Sequence, residues 1–205
     1  ALEDTKLFGK EEAPDLETLV KPGCAVIFDL SETTSLKKKQ LIVTYVASRL
    51  FGLRRRGKIS PFTMILEEAH QFCPQARHEL AISQSIIEQL AREGRKFYAS
   101  LCLISQRPVR LSTTVLSQAN THIILRVSNP NDLDTIKSSS EMITSDTVGM
   151  ISSLPVGEAL IVGSAVNYPI FVKIRKRYTK ESAYEANLEK AAKTYEEYSP
   201  STEPK

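Results

Sequence analysis

Residues 61–70 read Pro61-Phe-Thr-Met-Ile-Leu-Glu-Glu-Ala-His70. The stretch begins with a short apolar run of the kind found in buried β-strands. The run leads directly into two adjacent carboxylates, Glu67 and Glu68. Polar groups at the end of an apolar strand are typical of the functional edge of a parallel sheet, because ligands bind there outside the carboxyl ends of the strands.

Short apolar runs alternate with helical periodicity over most of the chain. The predicted strands are Cys24–Leu30, Pro61–Leu66, Tyr98–Ser105, Thr121–Val127, Gly157–Gly163 and Tyr168–Arg175, the last two joined as a hairpin across Ser164–Asn167. The predicted helices cover 37–56, 82–94, 130–139 and 146–154. Apolar strands alternating with helices predict an α/β fold, with a mostly parallel sheet and helices on both of its faces.

Composition excludes several classes of protein. The 205 residues are 41% apolar and 25% charged, as in ordinary globular proteins. No apolar run reaches the roughly 18 residues of a membrane span, so no membrane partner is expected. The N-terminus lacks a signal-peptide pattern, and three cysteines are too few for a disulfide framework or a zinc site, which favours a cytoplasmic location. The net charge is +3, with a basic body and an acidic C-terminal end that are compatible with a polyanionic partner.

The carboxylate pair allows two interpretations. Four apolar positions followed by two acids resemble a Walker B motif, in which one acid holds magnesium and the other orients the attacking water. Alternatively, Glu67 and Glu68 favour the first turn of a following helix through its dipole. Gln106 follows the next predicted strand, where it is either a sensor of a nucleotide γ-phosphate or an ordinary hydrogen-bonding loop residue.

Two basic stretches also resemble parts of a nucleotide site. Arg92 and Arg95 are either surface charges at a helix end or arginine fingers that reach the γ-phosphate in a neighbouring subunit. The stretch Gly52-Leu-Arg-Arg-Arg-Gly57-Lys58-Ile59 is a near match to a P-loop. We reject it because it ends in Ile where a hydroxyl is required and because it follows a helix instead of a strand.

Four blocks together resemble the HerA family of archaeal DNA translocases, within the HerA/FtsK superfamily of hexameric motor ATPases. They are, in family order, Met64–Pro74, Arg92–Phe97, Leu103–Pro108 and Leu125–Asp132. The resemblance implies a RecA-like core of the ASCE type of P-loop NTPase, incomplete at its N-terminal side, without the family's N-terminal β-barrel and P-loop. The implied organisation is a lead-in over 1–22, the Walker B half of the core over 23–177, a helix over 178–198 that braces a neighbouring subunit, and a disordered tail over 199–205.

The resemblance also implies roles for individual residues around ATP and Mg²⁺. Glu67 takes the metal side and Glu68 is the catalytic base, although Glu67 replaces the usual Asp, so the two roles remain exchangeable. The other implied residues are Gln106 as sensor, Arg92 (first choice) and Arg95 as arginines acting in trans, and Arg107 and His70 as nucleotide-binding residues. For His70 the alternative is a structural hydrogen-bonding role.

Partners follow from the same resemblance. Such motors form homo-hexameric rings around double-stranded DNA, bind it without sequence preference, and work with a NurA-type nuclease in DNA end resection and recombinational repair. The implied activity is ATP hydrolysis by the full-length protein, with the 205-residue chain inactive for want of a P-loop. Lys37, Lys38 and Lys39 are candidate DNA contacts, with a solvated helix face as the alternative. Two other functions stay open: a non-enzymatic assembly or docking module, and a secretion or conjugation pump of the same superfamily.

Overall fold

The computed structural model describes residues 15–75 and 81–179. Its helices are α1 Leu16–Leu19, α2 Leu36–Arg55, α3 Gln84–Glu93, α4 Thr113–Gln118, α5 Pro130–Ser139 and α6 Ser145–Ser153, and its strands are β1 Phe62–Leu66, β2 Ala99–Leu103, β3 Thr121–Leu125, β4 Glu158–Gly163 and β5 Ile170–Lys173. Short 3₁₀ turns cover Ala69–Gln71, Gly94–Phe97 and Pro108–Arg110. Of the helices in the described ranges, none has the length and apolar content of a bilayer-spanning segment.

These elements confirm the four predicted helices and all but one of the predicted strands. The described residues up to Lys173 form one compact unit, and 174–179 belong to a second. In the second, the Arg175 guanidinium lies 4.1 Å from the centre of the Tyr178 ring. The tail and nearly all of the predicted C-terminal helix lie outside the described residues.

The first sheet is the parallel pair β1–β2, in register from Phe62 opposite Ala99 to Leu66 opposite Leu103. One face of this pair packs against the apolar sides of α2, α3 and α4. The other face is open within the described part of the chain, where Ile65 is 63% exposed. The prediction of helices on both faces is therefore wrong for these residues: side chains alternate between a buried and an exposed side along each strand, as a half-buried strand requires.

The second sheet is antiparallel, with the order β3–β4–β5. Its core includes Ile124, Ile136, Ile151, Leu160 and Val162, drawn from the sheet and from α5 and α6. The prediction of one mostly parallel sheet is thus wrong for β3, which pairs with the returning strand β4 and not with β2. The apolar content of a strand does not encode its direction, whereas the short connection from β4 to β5 imposes an antiparallel hairpin.

Residues 24–30 do not form the predicted strand. They have no regular secondary structure and are largely exposed, and Ile27 is 87% exposed. Within this run only Leu30 packs against the core of the first sheet. An apolar run becomes a strand only where a neighbouring backbone satisfies its N–H and C=O groups, and these residues pair with no strand in the described part of the chain.

Candidate functional site

The carboxylate pair lies where the β1–β2 ladder skips two residues. The Ile104 N–H donates to the Leu66 carbonyl at 2.9 Å, and the Ala69 N–H donates to the Ile104 carbonyl at 2.9 Å. Because Ile104 bonds to residues on either side of them, Glu67 and Glu68 loop out at the carboxyl end of β1. Glu68 there has φ 49° and ψ 44°, a left-handed conformation that is uncommon for a residue with a Cβ and that marks strain at functional sites.

The Glu68 carboxylate is held by side chains from both strand ends. Gln106 Nε2 donates to Glu68 Oε1 at 3.1 Å. His70 Nδ1 lies 3.4 Å from Glu68 Oε2 and 3.0 Å from Ser105 Oγ. The backbone N–H of Arg107 donates to the same Ser105 hydroxyl at 3.1 Å. With the imidazole proton on Nε2, Nδ1 accepts from the Ser105 hydroxyl; with a proton on Nδ1, it can donate to the carboxylate.

Glu67 differs from its neighbour in having an exposed side chain. Its carboxylate makes no hydrogen bond or ion pair with other described residues, so its oxygens are available as ligands. No group of three or more His, Cys, Asp or Glu side chains that could hold a metal occurs in the described ranges. Mg²⁺ does not need one beside a nucleotide, since it is commonly bound by one or two carboxylates together with phosphate oxygens and water. The exposed Glu67 and the half-buried Glu68 together fit that donor set.

The structure does not bring the two candidate finger arginines to Glu68 within the chain. Arg92 lies in the last turn of α3, with Nη1 3.7 Å from Glu88 Oε2, and Arg95 lies in the turn before β2. Both are exposed and sit at the amino end of β2, at the opposite edge of the sheet from the carboxylates.

The three candidate DNA-binding lysines occupy the first turn of α2. Ser35 caps this helix by accepting from the Lys38 N–H at 3.5 Å. The next residue, Gln40, is buried and donates from Nε2 to the Gln71 carbonyl at 2.8 Å. This bond places the start of α2 beside the segment that follows Glu68. The first turn contains no acidic residue, so the cations at 37–39 oppose the helix dipole instead of complementing it.

Sequence reasoning missed three positioning residues. Ser105 and Gln40 are polar residues next to predicted elements, and nothing in their spacing marked them as partners of His70 and of the Gln71 backbone. Asp132 is 3% exposed and accepts from the Val109 N–H at 3.0 Å, which fixes the turn after Gln106 against α5. A buried acid in the first turn of a helix reads in sequence only as a favourable dipole contact.

One thiol lies close to the site but is not a nucleophile. Cys73 is buried, and its Sγ contacts the Ala69 carbonyl at 3.4 Å. Burial, with a smaller contribution from the charge of Glu88, raises the pKa of Cys73 to about 12. The thiol is therefore a core group at neutral pH.

Comparison with curated proteins finds several relatives that are named HerA. The chain is 46% identical over 144 residues to a DNA double-strand break repair helicase HerA of Pyrococcus furiosus, covering 69% of this chain and 25% of the relative. It is 34% identical over 167 residues to the HerA of Saccharolobus solfataricus (78% and 33%), and 31% identical over 185 residues to that of Sulfurisphaera tokodaii (86% and 36%). No known protein-family profile matches the chain.

Solved structures share the fold at low sequence identity. The DNA-packaging ATPase B204 of Sulfolobus Turreted Icosahedral Virus superposes with a TM-score of 0.57 at 19% identity, over 81% of this chain and 74% of B204. VirB4 of Thermoanaerobacter pseudethanolicus gives a TM-score of 0.55 at 17% identity, over 72% of this chain and 40% of VirB4. These neighbours have the RecA-like fold of P-loop ATPases, and the described elements are an incomplete α/β domain of that kind. The chain spans only 25% to 36% of the length of the three HerA relatives named above. Because it is 31% to 46% identical to those relatives over 69% to 86% of its own length, the chain belongs to the HerA helicase family.

Proposed function

We propose that this chain supplies the carboxylate half of the ATPase site in a homo-hexameric, double-stranded DNA translocase. The motor would act with a NurA-type nuclease in DNA end resection and recombinational repair. The observation that carries the proposal is the Glu68 carboxylate, looped out of the ladder and held 3.1 Å from Gln106 Nε2 at the carboxyl edge of the sheet. The 46% identity to a relative named as a DNA double-strand break repair helicase supports DNA as the substrate.

The proposed roles follow from what each side chain contacts. Mg²⁺ bound with ATP would neutralise charge that develops on the phosphates. Glu67, with a free carboxylate, is the residue to hold that ion. Glu68 is oriented by Gln106 and His70, so it is the residue to position and deprotonate a water molecule. Gln106 donates to Glu68 and lies in the loop that continues into Arg107. It is therefore the residue to sense whether a γ-phosphate is present.

The phosphate cradle has to come from outside the printed sequence, which contains no P-loop. Two features support this arrangement. The outer edge of β2 pairs with no strand in the described ranges, so a further parallel strand fits there. Arg92 and Arg95, remote from Glu68 in the same chain, suit a role in the site of a neighbouring subunit.

The lysines at 37–39 are proposed to contact DNA phosphates. They lie at the start of α2, which the bond from Gln40 to the Gln71 carbonyl holds beside the segment that follows Glu68. Their charge is unfavourable for the helix that carries them. A cation cluster that costs helix stability is better explained by an external anion than by local structure. Phosphate contacts of this kind are independent of sequence.

The proposal is tested by Glu68→Gln in the full-length protein, which combines this chain with a P-loop. We expect nucleotide binding to remain and turnover to fall by about 10²-fold or more, since a general base is removed while its shape is kept. The matched control is Glu141→Gln, an exposed carboxylate in the loop between α5 and α6, which should turn over ATP normally. If Glu68→Gln hydrolysed ATP at the wild-type rate, Glu68 would not be the catalytic base.

A non-enzymatic assembly or docking role is a second candidate, favoured by exposed apolar side chains on both sheets. Ile65 of β1 and Ile123 and Leu125 of β3 are all more than half exposed. Ile123 and Leu125 lie on the same face of β3, and exposed apolar side chains that share a face are candidates for an interaction site. A stable oligomer of the 205-residue chain in sedimentation experiments without nucleotide would favour this role, and a monomer would count against it.

A further inference from the structure

The amino edge of the first sheet carries a fixed junction of three segments. Arg54, near the end of α2, donates from Nε to the Phe97 carbonyl at 2.7 Å and from Nη1 to the Ile59 carbonyl at 2.8 Å. One guanidinium thus ties the end of α2 to the start of β1 and to the turn before β2. Side chains close to these three points are held near one another.

Besides Arg95, four exposed cations surround this junction, namely Arg55, Arg56, Lys58 and Lys96. The Arg55 guanidinium lies 5.5 Å from the centre of the Phe97 ring and 5.8 Å from that of Phe51, which keeps it in place by cation–π contact. None of the four forms an ion pair with another described residue. The dipole of α2 accounts for cations in its last turn, but not for Lys58 or Lys96, which lie outside that helix.

An exposed aromatic residue borders the same junction. Tyr98 is 69% exposed and has φ 55°, a left-handed conformation in which glycine is the usual residue. Its backbone is fixed on both sides, because its N–H donates to the Arg95 carbonyl at 3.2 Å and its carbonyl accepts from the Phe62 N–H at 3.2 Å. A large ring is therefore presented to solvent from a rigid and strained position, where neither folding nor packing requires one.

We propose that this amino-edge patch (Arg55, Arg56, Lys58, Lys96 and Tyr98) binds single-stranded nucleic acid, with phosphates at the cations and one base stacked on Tyr98. Unpaired arginines suit phosphate oxygens, and aromatic rings stack on bases that are free of a duplex. The patch lies at the far end of α2 from the lysines at 37–39, and a 20-residue helix is about 30 Å long. The inference takes from the proposed function only that nucleic acid is the partner, and it places a second, single-strand site on the opposite edge of the sheet.

The test measures fluorescence anisotropy of a labelled oligothymidine of about 20 nucleotides with the 205-residue chain, without nucleotide. A duplex of the same length is the comparison ligand. We expect Tyr98→Ala to weaken oligothymidine binding at least about fivefold, the lower limit of base stacking, while Tyr98→Phe stays close to wild type. The double variant Arg56→Gln, Lys58→Gln should weaken binding and lower the slope of log affinity against log salt by about 1.4, since each phosphate contact on a single strand contributes about 0.7.

The control variant is Lys173→Gln, an exposed cation on β5 outside the patch, which should bind as wild type does. Tyr98→Gly relieves the backbone strain, so it reports on the ring even if Tyr98→Ala folds poorly. Unchanged oligothymidine binding by both Tyr98→Ala and Tyr98→Gly would overturn the proposal. So would binding that is lost only when the lysines at 37–39 are replaced, or a duplex bound as tightly as the single strand. None of these results depends on ATP turnover, so a failure here is distinct from a failure of the proposed function.

Discussion

The left-handed backbone of Glu68 yields a prediction about stability that is independent of catalysis. Among non-glycine residues in the described ranges, only Glu68 and Tyr98 have positive φ. Glu68→Gly and Glu68→Ala both remove the carboxylate and its contacts with Gln106 and His70. They differ only in the Cβ, so a comparison of the two variants isolates the cost of the backbone conformation.

The magnitude follows from two opposing contributions. A Cβ in the left-handed region costs about 1–2 kcal/mol, which glycine avoids. Glycine at the same time gains about 0.4–1 kcal/mol of backbone freedom in the unfolded chain. The net expectation is that Glu68→Gly exceeds Glu68→Ala in free energy of unfolding by about 1 kcal/mol. For a chain of this size that difference corresponds to about 2–4 °C in melting temperature.

The assay is urea unfolding of the 205-residue chain, with the adjacent residue as an internal control. Glu67 does not have positive φ, so Glu67→Gly should be less stable than Glu67→Ala, the opposite order from position 68. If Glu68→Gly were also less stable than Glu68→Ala, residue 68 would not be left-handed in solution. The looped-out geometry on which the candidate site rests would then be refuted.

Two further predictions concern one buried and one half-buried titratable group, Cys73 and His122. Because burial raises the pKa of Cys73 to about 12, a thiol reagent at neutral pH should modify the exposed Cys24 and Cys102 in the native chain and Cys73 only after denaturation; a third fast-reacting thiol would contradict the packing. Burial also lowers the pKa of His122 below the ordinary 6.5, and a hydrogen bond with the Ala119 backbone opposes this effect only in part. As the pH falls, the imidazole of His122 is therefore protonated at a higher pH in the unfolded chain than in the folded chain. The free energy of unfolding should therefore fall as pH drops below about 6.5, and His122→Gln should reduce that fall in parallel urea titrations; an equal pH dependence in both proteins would assign it elsewhere.

The predictable part of this fold is the part set by periodicity and by strand ends. The spacing of Ile42, Val46, Leu50 and Leu53 predicts the helix α2, and the structure forms it and buries Val46, Leu50 and Leu53. Parallel strands in consecutive order place Gln106 beside Glu68, and the two side chains are in hydrogen-bond contact. Both results depend on local pattern together with the geometry of parallel sheets, which sequence records directly.

The features that sequence did not predict depend on long-range partners. Residues 24–30 have the apolar content of a strand, but no pattern within them specifies the edge with which they would pair. The left-handed conformation at Glu68 was not predictable because the residue at that position is not a glycine. The bond from the Val109 N–H to Asp132 joins residues 23 positions apart, so neither member signals the other.

Two of the sequence blocks, Met64–Pro74 and Arg92–Phe97, both depend on the close pairing of β1 with β2. Glu67 and Glu68 leave the ladder because Leu66 and Ala69 both bond to Ile104, so the position of the carboxylates depends on that pairing. Gly94, in the block 92–97, lies so close to the Ala99 carbonyl that a Cβ would collide with backbone, and β2 starts at Ala99. A side chain at 94 would push the start of β2 away from α3 and disturb the register that shapes the site at the other end of the strand. The glycine of that block is therefore architectural, whereas its two arginines are exposed side chains that the sheet does not need, and Arg92 pairs only with Glu88 of its own helix.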